Sequence, residues 1–171
     1  MSDREQQLSI LNDVARALNA SVDLPALLAR ALEKVAELLG LSTGWVLLFD
    51  EASEEPYLAA AQNLPPALLQ DPKLLAGWCY CLEAFQDGDL DGAANIGVIT
   101  CSRLRKLEPA RSRTAGLRYH ASVPLQVHTG EGGELRRLGM LNVAGPEWRE
   151  LDDDELSLLH TIGDLLGVAV E

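Results

Sequence analysis

Apolar residues recur every three or four positions at both ends of the chain, which is the period of an amphipathic helix. A first helix is predicted from Asp3 to Ala20, and a second apolar strip beside the main one leaves it apolar on two sides. A second helix is predicted from Leu24 to Leu39. Ser21 and Asp23 are candidate N-caps for that helix, Pro25 suits its first turn, and Gly40 suits its end.

The last helix is predicted to follow an acidic run at 151–155, because carboxylates at a helix start complement the helix dipole. Its leucines and isoleucine also occupy two adjacent strips. Such a pattern fits either one broad core face or two neighbours, the helix's own domain and a partner chain. From the terminal segments 1–22 and 152–171 we expect a homodimer formed through the first and last helices.

Four short apolar runs between the helices have the length and composition of β-strands. An acidic turn lies between the first two runs and a glycine-rich turn lies between the last two, which predicts two antiparallel hairpins. The predicted strands are Thr43–Phe49, Tyr57–Ala61, Ala121–Val127 and Leu138–Ala144.

The stretch from Gly77 to Leu104 contains all three cysteines of the chain. Helical spacing runs from Leu74 to Phe85, with Leu75, Trp78, Leu82 and Phe85 on one side. A short strand is predicted at 96–99 and a short helix at 102–107. We expect any ligand, metal or redox chemistry to lie in this middle stretch, with the flanks as scaffold.

Length and charge exclude several classes of function. The 171 residues fit one domain, and 47% hydrophobic with 23% charged residues is ordinary for a globular protein. A net charge of −12 disfavours nucleic acid and anionic membrane surfaces as partners. The first residues lack the apolar region of a signal peptide, so we expect a cytoplasmic protein with reduced thiols.

Three stretches resemble GAF domains, in the order expected of that family. They are the run from Gly116 to Leu125, the strand from Leu138 to Ala144, and Trp148 with the helix entry from Leu151 to Leu159. The resemblance covers nearly the whole chain, so residues 1–171 are interpreted as a single GAF sensory domain.

The resemblance implies an α+β fold: a central antiparallel sheet, terminal helices packed on one face, and a helical and loop segment over the other. It also implies a signal-sensing domain of a two-component histidine kinase or a similar protein, covalently linked to an output module. The domain alone is then not an enzyme, and it responds to a small molecule, an anion, or a redox or metal centre.

The cysteine set resembles that of GAF domains in NarL-type sensor kinases, and some related kinases hold an iron–sulfur cluster through four cysteines. This chain has three, so the hypothesis of an iron–sulfur or zinc site needs Cys79, Cys81, Cys101 and His120. On a regular helix the two residues of a Cys-x-Cys point about 200° apart. Both thiolates converge only if the helix is broken there, which Gly77 makes possible, or if the segment is extended.

Other readings stay open beside the metal hypothesis. Cys81 and Cys101 also fit as small buried hydrophobes, which is a common role of free cysteine. A small-ligand site would use an anion-binding helix start at Ser102, with charge from Arg103 or Arg118. The candidate ligand-binding residues are Trp78, Asn95, Ser102, Arg103 and Tyr119.

The alternative from another class is a thiol enzyme. Some stand-alone GAF proteins reduce free methionine sulfoxide and also carry three cysteines. The residues around their third cysteine are replaced here by the basic run 102–106. That departure favours the sensory reading over the enzymatic one.

Overall fold

The protein contains both helices and strands in a computed structural model, which describes residues 3–20, 23–70, 72–97, 101–105, 119–130, 132–145 and 149–171. The helices are α1 Asp3–Asn19, α2 Leu24–Leu39, α3 Pro66–Gln70, α4 Tyr80–Asp87, α5 Ser102–Arg105 and α6 Asp153–Val170, with a 3₁₀ turn at Pro72–Leu75. The strands are β1 Thr43–Phe49, β2 Pro56–Gln62, β3 Ala94–Gly97, β4 Tyr119–Thr129 and β5 Glu134–Ala144.

The five strands form one antiparallel sheet in the order β2-β1-β5-β4-β3. Both predicted hairpins are confirmed, since β1 pairs with β2 and β4 pairs with β5. The short β3 pairs with the start of β4, where Ile96 lies opposite His120. This pairing brings the cysteine-bearing middle of the chain to one side of β4.

Each face of the sheet has its own apolar core, because successive side chains of a strand point to opposite faces. Val46, Leu141 and Val143 face the layer of α1, α2 and α6. Trp45 and Met140 face the opposite layer, which contains α4 and all three cysteines. The predicted α+β fold, with terminal helices on one face and the middle segment on the other, is confirmed.

The helix ends also follow the sequence signals. Asp23 caps α2 by accepting a hydrogen bond from the Ala26 N–H at 2.8 Å, and Gly40 ends the helix with φ +69°. Asp152 and Glu155 form a reciprocal capping box at the start of α6. These three helix ends are formed by contacts between neighbouring residues and need no tertiary contact.

The prediction of one helical segment from Leu74 to Phe85 is wrong. Gly77 lies between the 3₁₀ turn and α4 with φ +72°, a left-handed conformation that breaks a helix, and its N–H donates to the Pro56 carbonyl at 3.2 Å. Trp78 therefore precedes α4 and is not part of the helical face of Leu82 and Phe85. The break that the metal hypothesis required near Gly77 is present.

Some predicted features lie outside the described residues. These are positions 21–22, residues 98–100, the segment 106–118 with Arg118, and Trp148. Within the described residues, no helix is long and apolar enough to cross a membrane.

Two glycines let α6 approach β4 closely. A Cβ atom at Gly163 would lie 2.8 Å from the Pro124 carbonyl oxygen, and one at Gly167 would lie 2.6 Å from the Gln126 carbonyl oxygen. Both neighbours are backbone atoms of β4, which cannot move aside as a flexible side chain can. The four-residue spacing puts both glycines on the same side of the helix.

Replacing either glycine by alanine should lower the free energy of unfolding by about 1–2 kcal/mol. Overpacking against a strand costs about 1–3 kcal/mol, and the better helix propensity of alanine returns up to about 1 kcal/mol. Urea denaturation of Gly163→Ala and Gly167→Ala measures the effect. Ser157→Ala, at an exposed position of the same helix, is the control and should change stability little. Unchanged stability in both glycine variants would contradict the packing argument.

Candidate functional site

The first turn of α4 is held by a residue of α5. Cys79 occupies the N-cap position of α4 in an extended conformation, but its side chain makes no capping hydrogen bond. The first helical N–H, that of Tyr80, instead donates to the Ser102 hydroxyl at 3.0 Å. Ser102 thus joins the start of α4, which carries Cys79 and Cys81, to the start of α5, which follows Cys101.

Arg103 makes a second connection between these segments. Its guanidinium donates to the backbone carbonyls of Ala76 at 3.1 Å and Gly77 at 2.9 Å, and also to that of Leu74. The side chain is only 5% exposed, so this cation is stabilised by the carbonyls around it rather than by water. The chain before α4 is therefore fixed to α5 by one buried cation.

Cys101 connects β3 to α5. Its N–H donates to the Gly97 carbonyl at 2.9 Å, and its own carbonyl accepts from the Arg105 N–H at 2.9 Å. The side chain is buried in the same apolar cluster as Cys79 and Cys81. Backbone pairing of β3 with β4 then sets the position of Cys101 relative to His120.

His120 is a buried polar residue on β4, with 2% of its surface exposed. Its Nδ1 lies 3.4 Å from the Ser122 hydroxyl oxygen, and that hydroxyl donates to the Asn142 Oδ1 at 2.8 Å. A serine hydroxyl has one proton. With that proton on Asn142, Ser122 can only accept from His120, so Nδ1 carries the imidazole proton.

In the neutral imidazole of His120 with its proton on Nδ1, the other ring nitrogen, Nε2, carries a lone pair. Nε2 is buried and has no hydrogen-bond partner. The ring lies against Trp45, with the ring centroids 5.2 Å apart. A buried polar atom without a partner is costly in a folded protein, and its occurrence calls for a functional explanation.

Three candidate ligand atoms converge beside β4. The sulfur atoms of Cys81 and Cys101 and a ring nitrogen of His120 all lie within 4.8 Å of one another, and all three residues are buried. Cys79 is adjacent, since its sulfur interacts with the Cys81 thiol. The structure thus brings together three residues of the predicted metal site and places the fourth, Cys79, next to Cys81.

The thiols influence one another's ionisation. The hydrogen bond from Cys81 and the charge of Arg103 outweigh burial and lower the pKa of Cys79 to about 5. The neighbouring Cys101 and Cys79 sulfurs, together with burial, raise the pKa of Cys81. The lowered pKa of Cys79 favours its thiolate, which is the form of cysteine that binds metals.

The residues predicted for a small-ligand site make contacts within the protein. Trp78 stacks on Phe49 with ring centroids 5.5 Å apart, and Asn95 both donates to and accepts from the backbone of Leu151. Ser102 and Arg103 form the connections to α4 described above, and Tyr119 begins β4 half-buried. Ligand binding by these five residues stays a prediction.

Sequence reasoning missed Ser122 and Asn142. They lie directly opposite each other on β4 and β5, on the face that carries His120. Both are polar and almost completely buried in otherwise apolar strands. That signal was readable: Ser122 is two residues from His120, and Asn142 interrupts the apolar run from Leu138 to Ala144.

Comparison with known proteins places this architecture in a family. The family model for the GAF domain matches residues 21–171. The chain belongs to the GAF domain family. It is 37% identical over 171 residues to the sensor histidine kinase YhcY of Bacillus subtilis (strain 168), covering 98% of this chain and 43% of that protein. The resemblance inferred from the three sequence stretches is confirmed.

Solved structures share the fold. The GAF domain of a phosphoenolpyruvate-protein phosphotransferase from Coxiella burnetii has a TM-score of 0.71 at 20% identity, covering 99% of this chain and 95% of that one. The free methionine-R-sulfoxide reductase of Neisseria meningitidis, solved with its substrate, has a TM-score of 0.66 at 19% identity, covering 99% and 92%. Identities this low establish the common fold alone.

Removing the guanidinium of Arg103 should destabilise the domain. In Arg103→Met three carbonyls lose their buried donor, and an unsatisfied buried acceptor costs about 1–3 kcal/mol, so we expect a loss of about 2–4 kcal/mol. Chemical denaturation under reducing conditions measures it. Arg105→Met removes the same charge from an exposed position of α5 and serves as the control. Equal losses in the two variants would show that charge, and not the carbonyl contacts, matters.

Proposed function

We propose that this GAF domain is the signal-sensing module of a sensor histidine kinase or a similar signalling protein. The observation that carries the proposal is the 37% identity to a sensor histidine kinase along almost the entire chain. The chain spans 43% of that relative's length. In the proposal, the kinase or other output module is covalently linked to this domain and the domain itself is not an enzyme.

The sensing element in this proposal is the buried group of Cys79, Cys81, Cys101 and His120. Any change in its charge or ligation occurs in a low-dielectric interior, where it has large energetic consequences. Ser102 and Arg103 connect the group to α4, and His120 lies on β4. Because α6 packs on the opposite face of β4, a shift of this strand reaches the last helix directly.

The proposed mechanism is a population shift. Two arrangements of the domain differ slightly in free energy, and a metal, redox or small-ligand event at the buried group favours one of them. The α4–α5 layer responds first because its contacts surround the group. The terminal helices then pass the change to the output module.

Dimerisation belongs to the same proposal. Leu8 of α1 and Val168 of α6 are 58% and 70% exposed, although both are apolar and lie on helices that pack against each other. Two exposed aliphatic side chains on adjacent helices suit a partner chain that buries them. We therefore assign the homodimer contact to these two helices.

The alternative function is reduction of free methionine sulfoxide. The support for it is a common fold at 19% identity and three cysteines, and the basic α5 beside Cys101 separates this chain from that chemistry. Turnover of methionine sulfoxide by the 171-residue chain with a thiol reductant would establish the alternative. We expect no turnover above that of a Cys79→Ser variant.

A chimera tests the sensory function. Residues 1–171 replace the matching region of the Bacillus subtilis kinase, and autophosphorylation is measured with and without Cys81→Ser and Cys101→Ser. If the buried group is the sensing element, each variant should change the rate about fivefold or more, which is the lower range of allosteric coupling. The change should have the same direction in both variants because they alter one site.

The matched control for the chimera is Leu69→Ser. It substitutes a serine at an exposed position of α3, outside the buried group. Its rate should equal that of the unmodified chimera. Rates that are unchanged in both cysteine variants, with folded protein confirmed by circular dichroism, would refute the sensing role.

The dimer is tested by size-exclusion chromatography with light scattering. The double variant Leu8→Glu and Val168→Glu should convert a dimer to a monomer, because two like charges would face their copies across the interface. Leu69→Glu, 61% exposed on α3, is the control and should leave the dimer intact. A wild-type chain that is monomeric at high concentration would contradict this assignment.

A further inference from the structure

We infer that Cys81, Cys101 and His120 bind a single thiophilic metal ion of the Zn²⁺ class, with Cys79 as the fourth ligand. The inference rests on the proposed function, because it names what the sensing element binds. It departs from the four-cysteine iron–sulfur cluster of the related kinases, because the ligand atoms here have the spacing of a single-ion site.

The spacing of the ligand atoms fits one ion. In a tetrahedral site with Zn–S of about 2.3 Å and Zn–N of about 2.0 Å, neighbouring ligand atoms are about 3.5–3.8 Å apart. The three atoms here lie within 4.8 Å of one another without any metal. Side-chain rotations that shorten the distances between these atoms by about 1 Å would give the spacing of a tetrahedral site.

A two-iron cluster fits this geometry less well. A [2Fe–2S] centre takes two protein ligands on each iron, so its ligands form two pairs on opposite sides of the cluster. Here the ligand atoms of Cys81, Cys101 and His120 all lie within 4.8 Å of one another. Three ligand atoms this close match the spacing around one ion better than two separated pairs.

The contacts of His120 prepare it as a ligand. A metal-binding histidine usually donates its other ring N–H to a fixed acceptor, which sets the tautomer and the ring orientation. The Asn142–Ser122–His120 chain does this, and it leaves the lone pair on the unpartnered, buried Nε2. Trp45 packs on the ring and restricts its rotation.

Cys79 completes the site because of where the chain breaks. Gly77 turns the backbone, so Cys79 is extended while Cys81 is helical. Their sulfurs therefore interact, which two residues of one regular helix cannot do. A tetrahedral ion held by three ligands has a fourth coordination position, and the Cys79 thiolate is placed to fill it.

Arg103 balances the charge of the filled site. Three thiolates and a neutral imidazole around a divalent cation have a net charge of −1, and an unpaired buried charge is strongly unfavourable. The buried guanidinium of Arg103 interacts electrostatically with Cys79. Site and cation together are neutral.

The experiment uses the 171-residue chain, purified without oxygen and with a thiol reductant. Metal is measured by mass spectrometry and sulfide by a colorimetric assay. We expect one zinc per chain and no inorganic sulfide. Replacing zinc by Co²⁺ should give the visible bands of a tetrahedral cobalt site and a thiolate-to-cobalt charge-transfer band, a readout that needs no variant.

Variants locate the ligands. Cys81→Ser, Cys101→Ser and His120→Ala should each weaken zinc binding by more than about 100-fold, and Ser122→Ala by about 10-fold, as expected for a residue that orients a ligand. Cys79→Ser should retain zinc with weaker binding and a shifted cobalt spectrum. His128→Ala, on the exposed side of β4, is the matched control and should bind as wild type does.

Several outcomes would overturn the inference. Iron and sulfide in equal amounts would establish an iron–sulfur cluster. A wild-type chain that binds neither zinc nor cobalt, or a His128→Ala variant that loses as much affinity as His120→Ala, would also refute the site. If zinc binds as expected but the chimeric kinase is indifferent to the cysteine variants, the proposed sensory function fails and the metal site stands.

Discussion

The buried guanidinium of Arg103 is the interaction on which the organisation of the middle segment depends. It donates hydrogen bonds to backbone carbonyls that have no partner in a helix or strand, because the chain between the 3₁₀ turn and α4 is neither. A lysine would offer a point charge without the planar set of donors that reaches separate carbonyls. The position of Cys79 beside Cys81 follows from this arrangement, as does the contact between α4 and α5.

The sheet contributes a different constraint, since β4 belongs to two packing layers at once. Its residues alternate between the core beneath α6 and the polar chain that ends at His120. Gly163 and Gly167 bring the helix into close contact with the backbone of the strand. The two faces of β4 are thus connected by closely packed atoms.

Much of the fold was predictable because its signals are local. The cap at Asp23, the left-handed Gly40 and the alternating strands need only neighbouring residues to take effect. The middle segment was harder, because its apolar spacing has a helical period while Gly77 and the carbonyl contacts of Arg103 impose a break. The three cysteines and His120 were predicted from their residue types and from the family resemblance. The pairing of Ser122 with Asn142 depends on strand register, which one sequence does not specify in advance.

The packing of Trp45 on His120 has a consequence for observation. Trp45 is buried with its ring 5.2 Å from the imidazole, whereas Trp78 is on the surface. An indole in an apolar core emits at short wavelength, and its emission depends on the electronic state of an aromatic group in contact with it. The protein thus contains its own optical probe beside the imidazole, readable without any added label.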